Sequence, residues 1–496
     1  MTHPSDGVAR PTLILVLGRT AGFAFSFAIP VVLARRFGRA EFGTYKQLFL
    51  IYATLYGLAQ LGMAESLYYF VPRKPEEAGR HVSNAIVTLA LLGASSLALL
   101  CVLRTTIATW MANSELVSYL PLLALFLAFT LVSAVFEIVM VSRNEAGKAA
   151  GVYAASDLGR TVLLILPALA LWRLRGVLIG AACFAALRLL AMLAYLWRQF
   201  GPRLRIDMAL WRQQMAYALP FASAVGIEVV QANFHQYVVA SRFDAATFAT
   251  YAVGCLQIPM IDLVCTSTAN VMMVKMTEET GEGQPRDRFL TLWHDTTCRL
   301  ASLIFPLAAF LLLAAHGIIV SLFTRTYQAS VPIFMVWCLT ILPAAFSVDA
   351  VLRVYAQTRF LLVMNLLRLA VIAGLIGWFL STFGLIGAVL ITLVGTMVVK
   401  MSGLIRIAWI MKVPVREVLP WGRLAGIAFR SGLAALPALW IGRSVSVPPP
   451  LAVMCIGVSY GVVFASLWAL SVRWKRARVF RLAKRLGIEQ GPTCAA

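Results

Sequence analysis

Arg19 stands inside the first long apolar run of the chain, and that run contains no acidic residue. Thr12 and Ser26 fall on its helical face at seven-residue spacing. Arg188, Lys400 and Arg430 are likewise cations inside apolar runs with no acid in the same run. Charge inside a bilayer is costly, so such groups face a cavity or a partner. Several guanidiniums in one bundle suit an anion, and their planar fork suits a phosphate or diphosphate. Arg299 and Arg368 complete the set of anion candidates. For each of them the competing explanation is snorkelling, or an ion pair with an acid on another helix.

A second group of residues could carry coupling-ion chemistry. Glu228, Gln231 and His235 project within about 60° of one another on a helix. Asp262 shares a face with Thr266 in the next run. A buried carboxylate or imidazole can take up and release a proton or hold sodium, but the same residues can form a polar seam between helices. Asp157/Arg160, Asp295/Arg299 and Asp349/Arg353 are three or four residues apart, a spacing that pairs charges along one helix. The eight cysteines are scattered, with no CxxC and no Cys/His cluster at ligand spacing, so neither a metal site nor a disulfide framework is expected. The chain carries no Walker A, HExxH, nucleophile elbow or dinucleotide fingerprint. No enzyme activity and no cofactor are therefore expected.

The elements that must position these residues are helices in a bilayer. The 496 residues are 60% hydrophobic and 13% charged, against about 25% charged for a soluble domain. Apolar runs of spanning length recur along the chain. Fourteen spans are expected: 12–34, 45–64, 82–103, 117–141, 153–172, 176–197, 217–240, 248–273, 293–315, 331–352, 361–381, 384–405, 424–442 and 451–472. The net charge of +22 gathers in alternate loops, the positive-inside pattern, so nucleic acid is not an expected partner. The bias places both termini on the cytoplasmic side. Arg35, Arg36, Arg39 and Lys46 are the local exception.

That exception belongs to a repeat. Val32–Tyr45 (VLARRFGRAEFGTY) returns 206 residues later as Val238–Tyr251 (VVASRFDAATFATY). Leu178-Ile179-Gly180-Ala181 returns as Leu385-Ile386-Gly387-Ala388, and Asp157-Leu158-x-Arg160 as Asn365-Leu366-x-Arg368. Three matches at nearly one offset predict two parallel six-helix lobes, 12–197 and 217–405, around a central cavity. A cytoplasmic linker at 198–216 joins them as an amphipathic segment. Two additional helices lie at 424–472, and a basic tail at 473–496 is drawn to anionic membrane lipids. In a transporter built this way the substrate site lies between the lobes near the midplane.

The unit LARRFGRAEFGTY, followed by a span ending in LGMAESLYYFVPR, resembles bacterial polysaccharide and O-antigen flippases of the multidrug/oligosaccharidyl-lipid/polysaccharide exporter superfamily. The family pattern stands here as Arg36-Phe37-Gly38, Glu41-Phe42-Gly43 and Tyr45, and the second copy before Tyr251 and Leu322–Pro332 also fit. The resemblance implies a secondary transporter in the bacterial inner membrane. It would flip undecaprenyl-diphosphate-linked oligosaccharide to the periplasmic leaflet by alternating access, beside a polysaccharide polymerase and glycosyltransferases. It further implies Arg19 as the first diphosphate ligand, while the repeat makes Val32–Tyr45 an outer hairpin and puts Arg36, Arg39 and Lys46 at the periplasmic mouth. The second lobe departs from this, because Val225 stands at the offset of Arg19. A cation-coupled multidrug exporter and a membrane scaffold for polysaccharide synthesis are the alternative functions.

Overall fold

The computed structural model describes residues 22, 25–170, 173–279, 286–444 and 447–485. Among them every regular element is a helix. In chain order these are α1 (Arg39–Ala59), α2 (Met63–Arg73), α3 (Ala78–Val102), α4 (Arg104–Trp110), α5 (Leu116–Ser133), α6 (Val135–Ser142), α7 (Ala146–Leu169), α8 (Leu174–Phe200), α9 (Met208–Arg242) and α10 (Ala245–Gly254). There follow α11 (Pro259–Glu279), α12 (Arg286–Phe323), α13 (Val331–Leu339), α14 (Val348–Val354), α15 (Thr358–Phe383), α16 (Leu385–Met411), the single turn α17 (Val415–Val418), α18 (Trp421–Ser444) and α19 (Pro449–Arg485). Residues 25–36 are also helical.

Twelve helical stretches among the described residues are long and apolar enough to cross a membrane. They coincide with all the expected spans except the first and the eighth. Most of 12–34 falls outside the described residues. The eighth run is broken between Cys255 and Ile258, and α11 restarts at Pro259. The physical reason is local, since a proline pushes the residue before it out of the helical region. Other spans are interrupted without ending. Leu61 and Gly62 both take positive φ between α1 and α2, and a turn at Leu342–Ala345 around Pro343 separates α13 from α14. The 198–216 segment is not a separate amphipathic helix. Residues from Met208 run directly into the long helix α9. Residues 473–485 continue α19 in the same way.

The chain divides into two compact units, Met1–Met260 with Leu362–Gly395, and Ile261–Leu361 with Thr396–Ala496. The first has a core of Met63 and Leu67 from α2, Val82 and Leu89 from α3, Val139 from α6, and Met192 and Leu196 from α8. In the second, Met276, Trp293, Val351, Ile407 and Leu424 are central. A seam of three alanines, Ala314, Ala434 and Ala438, with Ile456 and Tyr460 joins α12, α18 and α19 there. Large apolar side chains such as Leu91, Leu190, Trp197 and Trp440 remain exposed, as expected when lipid replaces water as the solvent.

The repeated motif proves to be a joint in the first unit. Glu41 Oε1 accepts the Leu174 backbone N–H at 2.9 Å, capping the start of α8. Arg36 Nε donates to the Ala168 carbonyl at 3.2 Å, at the end of α7. An acid at a helix N-terminus and a cation at a C-terminus both match the helix dipole. Together they hold the end of α7 and the start of α8 to the motif. Gly43 lets α1 approach the start of α10, because a Cβ there would overlap the Ala245 carbonyl. The two motif copies therefore pack on each other. Gly180 and Gly387, the glycines of the second repeat, play a like part, each facing a carbonyl of the preceding helix, Leu163 and Phe379.

Candidate functional site

The first unit brings together two arginines that the repeat makes equivalent. Arg160 Nη2 donates to Asp157 Oδ1 at 2.9 Å and also to Ser26, whose hydroxyl donates to the same carboxylate at 3.2 Å. Gly22, one turn before Ser26, makes room for the carboxylate, since a Cβ there would overlap it. The Asp157/Arg160 pair read from spacing thus forms, and Ser26 joins it. Arg160 Nε is buried and has no hydrogen-bond acceptor among the described residues. In the second copy, Arg368 Nη1 donates to Gln231 Oε1 at 3.5 Å, and Gln231 Nε2 donates to the Asn365 carbonyl at 2.7 Å. Each arginine of a fifth span thus meets a polar side chain from the first span of its repeat. The copies differ in charge, because an amide, Asn365, stands where the first copy has the carboxylate Asp157.

Gln231 and His235 occupy one face of α9 and are both buried. His235 Nδ1 lies 2.6 Å from the Tyr251 hydroxyl, and Arg368 is within its electrostatic reach. Glu228, expected on the same face, is exposed. Asp262 lies on the helical backbone of α11, and its side chain is outside the described residues. Arg19 and Thr12 are also outside them.

Arg188 is not a lone cation. Its Nη2 donates to Glu137 Oε2 at 2.7 Å and its Nε to Ser133 at 3.2 Å, with Glu137 2% exposed. Lys400 forms an ion pair with Asp349. Asp295 meets Arg423 at 2.8 Å. The sequence had set Asp349 against Arg353 and Asp295 against Arg299 by spacing alone. Partners from other helices take their place, because a side chain pointing away from its own helix reaches the neighbour first. Arg299 and Arg430 sit together with Arg423 in a cleft of about 560 Å³ in the second unit. At the motif, Arg36 has the structural bond described above, Arg39 is exposed, and Lys46 stands 5.5 Å over the Phe42 ring.

The start of α9 is held to α3 by polar contacts that periodicity does not show. Asp207 caps α9 by accepting from Ala209 and Leu210, and Arg80 donates to its other oxygen at 3.0 Å. Asn84 and the Asp207 backbone exchange two hydrogen bonds. Trp211 Nε1 donates to Thr88, and buried His81 meets Gln214, which donates to Ser66. The Leu210 amide, then Arg80 and the Ala209 amide, hold the Asp207 carboxyl below its ordinary range. An aspartate before a helix is an N-cap signal that the sequence reading passed over, and its partners on α3, more than a hundred residues away, leave no local signal.

Several solved structures share this architecture. A lipid II flippase, MurJ, in an inward closed conformation is 12% identical, with a TM-score of 0.74 over 93% of this chain and 99% of that one. A MOP superfamily transporter from Pyrococcus furiosus, described as having a binding pocket of reverse polarity, is 15% identical, with a TM-score of 0.57 over 82% and 96%. An outward-facing multidrug resistance MATE family transporter is 12% identical, with a TM-score of 0.57 over 83% and 96%. At these identities the likeness is one of fold. A search of curated proteins finds none that matches. The family model described as polysaccharide biosynthesis protein matches residues 8–267, more than half of the chain, and the protein belongs to that family.

Proposed function

We propose that the protein is a secondary transporter that flips undecaprenyl-diphosphate-linked oligosaccharide from the cytoplasmic to the periplasmic leaflet by alternating access. The observation that carries this is the pair of repeat-equivalent arginines in the first unit, each meeting a polar side chain from the first span of its own repeat. Arg160 pairs with Asp157 and donates to Ser26, and Arg368, its repeat equivalent, donates to Gln231. A guanidinium among polar side chains of spanning helices suits an anion, because its fork fits two phosphate oxygens at once. Family membership and the fold shared with a lipid II flippase support a lipid-linked sugar as the cargo. Arg19 and Arg368 are the proposed diphosphate ligands, and His235 is the proposed coupling group. The protein works in the inner membrane with both termini cytoplasmic.

The test is export in cells that depend on the chain. Arg19→Ala and Arg368→Gln each abolish surface polysaccharide while protein levels hold. Wild-type export in both variants overturns the assignment. Clear dye efflux by the wild type, with no effect on polysaccharide when the chain is deleted, would make it a multidrug exporter instead.

A further inference from the structure

The second unit holds a basic cleft built from residues other than the proposed diphosphate ligands. It lies where α12 passes the first turns of α18 and the latter part of α19. Its lining includes Arg299, Arg423 and Arg430 with Asp295, Gly426 and Trp468. Three guanidiniums face one carboxylate, a surplus of two positive charges. Asp295 is engaged by Arg423 at 2.8 Å, which leaves Arg299 and Arg430 to carry that surplus. Arg430 is positioned rather than loose, with its guanidinium 5.2 Å from the centre of the Trp468 ring. Its Nε–H is buried with no acceptor among the described residues. A buried donor of a charged group without an acceptor is costly, and an anion in the cleft would relieve it.

The surroundings say what kind of anion. Along α18 the residues Phe429, Leu433, Leu436 and Trp440 repeat at three- and four-residue spacing and are 70%, 40%, 60% and 71% exposed. On α19, Leu451, Met454, Val458 and Val462 form a similar exposed stripe. Such stripes are at home against hydrocarbon, so the charged cleft opens beside the acyl region rather than into a soluble domain. Gly422 and Gly426 have open space where a Cβ would stand, which keeps the α18 wall low. Trp468 belongs to the residue type that prefers the headgroup level.

We infer that this cleft binds the phosphate headgroup of an anionic membrane phospholipid, with Arg299 and Arg430 as its ligands and Arg423 held in reserve by Asp295. Its ligands include none of the proposed diphosphate ligands. Basic pockets between spanning helices are suited to this chemistry, because they add phosphate hydrogen bonds to the general attraction of anionic lipid. The lipid completes the joint between α18, α19 and α12.

The full chain is purified in mild detergent and its retained lipids are counted by native mass spectrometry. Its thermal unfolding is followed with added phosphatidylglycerol, phosphatidylethanolamine or inorganic phosphate. Phosphatidylglycerol raises the unfolding temperature and stays bound, and the other two do not. Arg299→Gln/Arg430→Gln weakens phosphatidylglycerol binding about tenfold or more, as expected for the loss of charge-assisted contacts. Asp295→Asn, which frees Arg423, strengthens it and keeps the result readable if the arginine variant folds poorly. An equal response to inorganic phosphate overturns the lipid assignment in favour of a free anion. Equal retention of both phospholipids, or no change in either variant, overturns the site.

Discussion

Glu137 and Arg188 show how a charge that looks functional can be internal. Removing one partner of a buried pair leaves an uncompensated charge, whereas removing both can be nearly neutral. Glu137→Leu should therefore lower stability by roughly 3 kcal/mol, and Glu137→Leu/Arg188→Leu should recover most of it. Thermal unfolding of the purified variants checks both, and export by the double variant reports whether Arg188 also touches substrate. Arg188 was recognisable as a buried cation, but its acid lies 51 residues away, so its pairing was not legible. Asp207 allows a test by pH. Its carboxyl is held below the ordinary 3.8, so its stabilising effect is present above that value and lost as pH falls through its lower value in the folded chain. Asp207→Ala should unfold at lower temperature than wild type at neutral pH, and the gap should close as pH falls below 3.8. A gap that persists in acid would mean the carboxylate is not the stabilising group.

At the scale of elements, the motif that identifies the chain is a joint rather than a binding loop. Gly43 sits against the Ala245 backbone, so Gly43→Ala must separate α1 from α10 and should cost about 1–3 kcal/mol. Gly38, with nothing near its missing Cβ, is the control, and Gly38→Ala should stay within about 0.5 kcal/mol of wild type. Unfolding of the two variants side by side decides it, and equal stabilities would contradict the close approach. The repeat itself was readable because both copies keep their large apolar residues at one offset. Why those residues recur was not readable. Glu41 capping α8 and Arg36 meeting the end of α7 are contacts across more than 130 residues. The break before Pro259 had a local signal in the proline, but the long apolar run around it masked the interruption.

The whole molecule follows from composition more directly than its parts do. Runs of spanning length dictate helices, because in hydrocarbon each backbone group must be satisfied within its own segment. That argument recovers the all-helical membrane fold, which the shared architecture with a lipid II flippase and multidrug transporters supports. It says nothing about which side chains the buried cations meet. In the proposed function, Arg368 is a ligand of the diphosphate during flipping of the sugar lipid. The most direct measurement places the purified chain in vesicles carrying undecaprenyl-diphosphate-linked oligosaccharide and follows the sugar's accessibility to a glycosidase outside. Wild-type protein should expose the inner-leaflet pool, and Arg368→Gln should slow this at least about tenfold, the loss expected for one charge-assisted phosphate contact. Unchanged accessibility with wild-type protein, or equal rates for wild type and Arg368→Gln, would contradict the account.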